Sequence, residues 1–235
     1  GYKALNTDNL SDPAIALPTD HFEPVIYTGT GANQAISSLE FSPDLIWIKR
    51  RDGAAQSHQL VDSVRGATNA MASNLTNAEY TSGLASINSN GWTTLNSSEG
   101  AVNASGNTYA SWNWKAGGTA SSNTDGTITS SVSANTTAGF SIVTWTSNGS
   151  AGQTIGHGLG VAPDMVILKN RSANEAWQVY HQSIGAGKHL MLNSSNAEAA
   201  NTNIWSNTSP TSTLFYAGTN SFSSNNDEIV MYCFA

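Results

Sequence analysis

Two stretches of this chain, 36–51 (ISSLEFSPDLIWIKRR) and 155–171 (IGHGLGVAPDMVILKNR), share one pattern. A Leu precedes Pro-Asp, an unbroken apolar run follows, and basic residues close it. The correspondence extends well beyond this phrase. FEPVIYT at 22–28 matches FSIVTWT at 140–146, Met71 matches Met191, and Asn77, Ala78 and Glu79 match Asn196, Ala197 and Glu198. YASWNW at 109–114 matches IVMYCF at 229–234. All pairs are offset by 118 to 120 residues, and so constant an offset marks an internal repeat. The chain is expected to hold two tandem copies of one domain, at 22–116 and 139–235. Residues 117–138, rich in Gly, Ser, Thr and Asn, read as a linker with one strand at "TITSSVS". Residues 1–21 contain Asp12-Pro13 and Leu17-Pro18, which favour extended chain; they read as an N-terminal extended segment or the tail of a preceding domain.

Each copy is expected to be all-β, an antiparallel β-sandwich of jelly-roll-like form. PVIYT and SIVTWT are rich in β-branched and aromatic residues. LIWIK and MVILK are short apolar runs of the kind buried on both faces. Turn clusters such as TGTGANQ, SNGSAGQ and RDGAA separate the runs. Only DSVRGATNAM and HQSIGAGKHLM could hold a helical turn, and both carry Gly.

Charged residues make up 11% of the 235, against the usual ~25%. The surface must therefore be uncharged polar, as in rigid extracellular β-proteins. A net charge of −7 with no basic block excludes a nucleic-acid groove, which needs clustered Lys and Arg. No run approaches the roughly 18 apolar residues of a membrane helix, so no membrane insertion is expected. Cys233 is the one cysteine, which excludes an intrachain disulfide and reads as a buried, inert thiol. That fits folding in a reducing cytoplasm and use outside the cell.

The stretches YTGTGANQAISSLEFSPDLIWIKRR and YASWNWKAGGTASSNTDGTITSSVSANTTAGFSIVTWT resemble an uncharacterised repeat domain. It is common in tail-fibre and other virion surface proteins of marine phages, including those of cyanobacteria. The resemblance covers 22–235, with motifs at 62–66 (DSVRG), 112–116 (WNWKA), 157–160 (HGLG) and 232–235 (YCFA). GYKALNTDNLSDPAI at the start resembles the end of a SPRY-like lectin sandwich that often precedes such repeats. The resemblance implies a virion location, other virion or tail proteins as partners, and a homo-oligomer, trimeric in fibres. It carries no activity.

Candidate sites divide into few classes. His58, Asp62 and Arg65 lie close in sequence, yet the matching region 177–185 holds only His181. Structural ion pairing is therefore expected there, over acid–base chemistry. His157, His181 and His189 lack the paired spacing of a zinc site, and NTDGT at 123–127 reads as a turn. No metal, cofactor or enzymatic activity is expected. The seven Trp residues are the most suggestive feature. Trp47, Trp112 and Trp145 lie in apolar strands and read as core. Trp92, Trp177 and Trp205 lie among polar residues and are the candidates for contact with a glycan or a subunit. The function expected is a phage tail-fibre or virion surface module with a structural and host-glycan adhesion role. The alternatives are a carbohydrate-binding module of a larger secreted bacterial protein and a polysaccharide depolymerase.

Overall fold

The computed structural model describes residues 17–235 apart from 54, 96–99, 220, 221 and 223. The segment expected over 1–21 thus lies outside the described residues up to position 16. Residues Pro18–Asp20 form one 3-10 turn instead of extended chain; Pro is at ease at a helix start, where its missing N–H costs nothing. Among the described residues every other regular element is a strand, so the protein is all-β.

The first copy contains β1 (Phe22–Thr28), β2 (Ala35–Ile36), β3 (Leu45–Arg50), β4 (Gln59–Asp62), β5 (Asn69–Ala72), β6 (Tyr80–Thr81), β7 (Leu84–Asn88), β8 (Gly91–Thr94) and β9 (Thr108–Trp114). The rest of the chain adds β10 (Ser121–Asn123), β11 (Ser130–Asn135), β12 (Phe140–Thr146), β13 (Gln153–Gly156), β14 (Met165–Asn170), β15 (Gln178–His181), β16 (Lys188–Met191), β17 (Ala199–Ala200), β18 (Leu214–Ala217) and β19 (Glu228–Phe234). One large sheet runs β1-β9-β3-β4-β5-β6 and the other β10-β11-β12-β19-β14-β15-β16-β17. From β12 onward the second order repeats the first, strand for strand. In each copy the first strand pairs with the last, and the second with the penultimate one. This nested pairing is the jelly-roll-like part of the fold. Beyond it, β3–β6 and β14–β17 continue as simple meanders.

The repeated phrase has a hydrogen-bonding role. Asp44 N donates to Trp114 O (2.7 Å) and Asp164 N to Phe234 O (2.8 Å), while Ser63 N and Gln182 N donate to the carbonyls of Asp44 and Asp164 (both 2.8 Å). Pro-Asp thus closes the junction of three strands in each copy. The register refines one match: Met71 faces Leu60 as Leu190 faces Val179, so Leu190, and not Met191, is the structural counterpart of Met71.

Residues 117–138 do more than link. β10 pairs with β11 and β11 with β12, so this segment widens the second sheet. Polar composition hid the pairing, because an edge ribbon half open to water needs few apolar side chains.

Three cores follow from strand alternation. One face of the first sheet packs Tyr27, Ile46, Ile48, Val61 and Tyr109 against Ile36, Leu84 and Trp92 of the small sheet β2-β8-β7. One face of the second sheet packs Val143, Trp145, Val166, Leu168 and Met231 against Ile155 and Phe215 of β13-β18. The remaining faces of the two large sheets pack on each other: Leu45, Leu60 and Met71 meet Ile142, Ile167, Trp177, Val230 and Tyr232. The two copies are therefore layers of one stack with a common central core.

That central contact is polar at one edge. Arg65, fully buried, pairs with Asp62 and with Glu79 (2.6 Å), and Glu79 also binds Arg171 of the second copy (2.8 Å). The Tyr232 hydroxyl donates to Asp62 Oδ2 (2.7 Å), and Trp177 Nε1 donates to Ala72 O (3.0 Å). Burial raises the ionisation of the Tyr232 hydroxyl far above its ordinary range, so it remains a donor to the Asp62 carboxylate.

Candidate functional site

The contact between the large sheets is not reciprocal, and this lack of symmetry creates the candidate site. On the inner face of the first sheet, Pro24, Trp112, Trp47 and Leu60 stand in one row across β1, β9, β3 and β4. The equivalent row of the second sheet is Ile142, Tyr232, Ile167 and Val179. The second row is covered by the first copy, with Tyr232 at 1% exposure and Ile142 at 0%. In the first row Trp112 is 37% exposed, Pro24 is exposed and Trp47 half-buried. The next row, Ile26, Ala110 and Lys49, also lies open, with Ile26 at 66%. The first sheet covers the second, and part of its own face stays uncovered.

A second difference deepens the exposed area. His58 N binds Asn74 Oδ1 (2.9 Å) and Trp177 N binds Asn193 Oδ1 (2.8 Å), while Ser73 N and Leu192 N donate to the carbonyls of His58 and Trp177. His58 therefore occupies in the first copy the place that Trp177 fills in the second. The smaller ring leaves a hollow of about 310 Å³ lined by Trp47, Lys49, His58, Trp112 and Trp114. The Trp47 ring centroid lies 6.5 Å from those of Trp112 and Trp114, at 68° and 36°. Lys49 Nζ is held by Gln56 O at 2.8 Å. Burial, and then the Lys49 charge, hold the His58 imidazole below its usual pKa, so it is neutral at pH 7.

The expected ligand residues lie elsewhere. Trp92, Trp177 and Trp205 are all at 0% exposure, which corrects the expectation that they face outward. Trp92 packs edge-on to Tyr27 in the first core, and Trp177 lies in the central core. Trp205 is enclosed by Tyr180, Phe215 and Phe222, with Nε1 donating to Lys188 O (2.9 Å). Polar residues flank each of them in sequence, while the indole itself plugs the core. The converse holds for Trp47 and Trp112, expected in the core: their strands are central, but the face they occupy is only partly covered. A usable sequence signal was the difference between copies on one face, Trp112 against Tyr232 and His58 against Trp177.

His58, Asp62 and Arg65 do not converge. Asp62 and Arg65 form the buried pair described above, with no access for a substrate, and His58 precedes β4 at its other end. His157 follows β13, fully buried, with Nε2 against Thr211 O (3.1 Å). Among the described residues no group of three or more His, Cys, Asp or Glu could hold a metal. Cys233 is buried, its thiol pushed up to about 12 by desolvation, so it is not a nucleophile at neutral pH. Among the described residues no helix is long and apolar enough to cross a membrane.

The profile of a family described as a domain of unknown function (DUF7483) matches residues 17–235. The chain belongs to that family. No curated protein and no solved structure matches it. The DUF7483 match runs unbroken through both copies, in keeping with the central core that they share. The groove of this DUF7483 chain presents flat indole faces, one ammonium group and one imidazole, with no carboxylate lining it among the described residues.

Proposed function

We propose that this chain is a virion surface module of tail-fibre type that adheres to a host glycan, with the groove between Trp47, Trp112 and Trp114 as the contact. The carrying observation is a cluster of three indoles lining a hollow on a sheet face whose central row in the second copy, Ile142, Ile167 and Tyr232, is buried. Indoles stack on the C–H faces of pyranose rings, and polar groups at the rim read the hydroxyls. The lining favours adhesion over depolymerisation, because glycoside hydrolysis needs two facing carboxylic acids and the described lining contains none. Each contact would be weak, and a trimeric fibre would multiply it through effective concentration.

The test is a glycan array probed with the full chain and with Trp112→Ala. The wild-type protein binds a defined subset of glycans, and the variant loses at least about tenfold in affinity, the usual cost of removing an aromatic hot spot. Absence of glycan binding by the wild-type chain would overturn the adhesion reading. Light scattering tests the trimer separately, and immunogold labelling of phage particles distinguishes a virion module from a binding module of a secreted bacterial protein.

A further inference from the structure

Lys49 and Lys169 occupy equivalent places, each opposite the residue two positions before the central-row residue of β9 or β19. Their surroundings differ. Lys169 is fully buried and donates to two carbonyls, Asn170 O (2.6 Å) and Ala173 O (2.9 Å). Lys49 is half-buried, donates to Gln56 O alone among the described residues, and lines the groove. Its ammonium is anchored by one bond and keeps donors to spare.

Among the described residues, three acids of this region are engaged or face away. Asp52 is held by Arg50 (2.9 Å) and by Thr108. Asp62 lies under the second sheet, bound to Arg65 and Tyr232. Glu23 alternates with Phe22 and Pro24 and so belongs to the other face of β1. Lys49 takes part in no ion pair among the described residues, in a chain whose net charge is −7. An ammonium with no counter-ion among the described residues, set at the rim of an indole surface beside an imidazole donor, is complementary to an anionic sugar.

We propose that the groove selects polysaccharides of carboxylated sugars, with the pyranose face on Trp112 and Trp47 and the carboxylate on Lys49. Lys49 stands two residues beyond Trp47 on the same face of β3, roughly 7 Å along the strand, which suits a substituent at the edge of a stacked ring. His58 adds a donor for the second carboxylate oxygen. The inference rests on the adhesion reading above and narrows its ligand.

The experiment uses matched pairs: alginate, polygalacturonate and hyaluronate, each beside its carboxyl-reduced neutral form, with binding measured at low and at high salt. The full chain binds at least one acidic polymer roughly tenfold more tightly than its neutral partner, the scale of one hydrogen bond to a charged group. The preference weakens as salt screens the partly exposed pair. Lys49→Met removes the preference, Lys49→Arg retains it, and both variants melt with the wild type. Equal binding of acidic and neutral members, or a preference that survives Lys49→Met, overturns the carboxylate assignment. If neutral polymers alone bind and Trp112→Ala abolishes it, the adhesion reading stands without the assignment. If no polymer of either kind binds and the glycan array is also blank, both fall.

Discussion

Replacing Arg65 with Met should show whether the two copies fold as one unit. The guanidinium is fully buried and serves both copies, binding Asp62, Glu79 and the Leu60 carbonyl, with the Tyr232 hydroxyl at 3.4 Å. Met matches its bulk but leaves Asp62 buried without a cation. Breaking a buried pair from one side costs about 3–5 kcal/mol. Asp62 keeps the amides of Val64 (3.1 Å) and Arg65 (2.8 Å) and the Tyr232 hydroxyl, and Glu79 keeps Arg171. These bonds place the expected loss near the lower bound, about 3 kcal/mol. Tyr232→Phe removes one bond to the same carboxylate and should cost about 1.5–3 kcal/mol. Both changes act on Asp62, so the double variant should depart from additivity by at least about 0.5 kcal/mol. Urea unfolding followed by tryptophan fluorescence and by circular dichroism reads all three. One transition is expected, moved to lower urea as a whole by each change, although residues 65 and 232 lie in different copies. Two separable transitions, with Arg65→Met moving only one, would refute a shared core. A loss under about 1 kcal/mol would refute the role given to the buried pair.

Three further outcomes follow from the same geometry. Burial holds Lys169 down to about 8, so above that pH the unfolded chain binds a proton that the folded chain has released. Relative to Lys169→Met, the wild type should then gain about 1.5 kcal/mol of stability between pH 8 and 9.5 in urea titrations; the comparison cancels the opposing effect of Cys233, whose thiol ionises in the unfolded chain and is held neutral by burial in the folded one. His58→Trp should fill the hollow as Trp177 fills its counterpart, abolishing glycan binding with no fall in melting temperature. Gly91 has φ 148°, and a Cβ there would lie 1.8 Å from Ile36 O. Gly91→Ala should therefore break the β2–β8 pairing and cost more than about 1 kcal/mol in the same unfolding assay.

The fold was largely legible because the repeat doubles every local signal. PVIYT and SIVTWT became β1 and β12, and the Pro-Asp phrase became the same three-strand junction twice. The polar ribbon β10–β11 was half legible: TITSSVS showed the strand, but nothing in its composition showed which sheet it joins. The site was not legible from local context. Hydropathy around Trp92 and Trp205 reports the polar residues that flank them in sequence, whereas the direction of the indole is set by contacts far along the chain. Trp47 and Trp112 were hidden for the opposite reason. Whether a sheet face is covered depends on how one copy sits on the other, and no window of sequence contains that relation. Asp62 and Arg65, expected as structural, lie in the central contact; their absence from the second copy follows from the one-sided packing, which needs them on one partner only.

The offset between the sheets also divides evolutionary freedom unequally. Ile142, Ile167, Trp177 and Tyr232 are hemmed in on all sides, so most substitutions there would injure the whole protein. Their counterparts Pro24, His58 and Trp112 border solvent and can change at a smaller thermodynamic penalty. One duplicate thus serves as ballast while its twin is free to drift, and the lining of the groove can be rewritten by a handful of codons on a scaffold that does not notice.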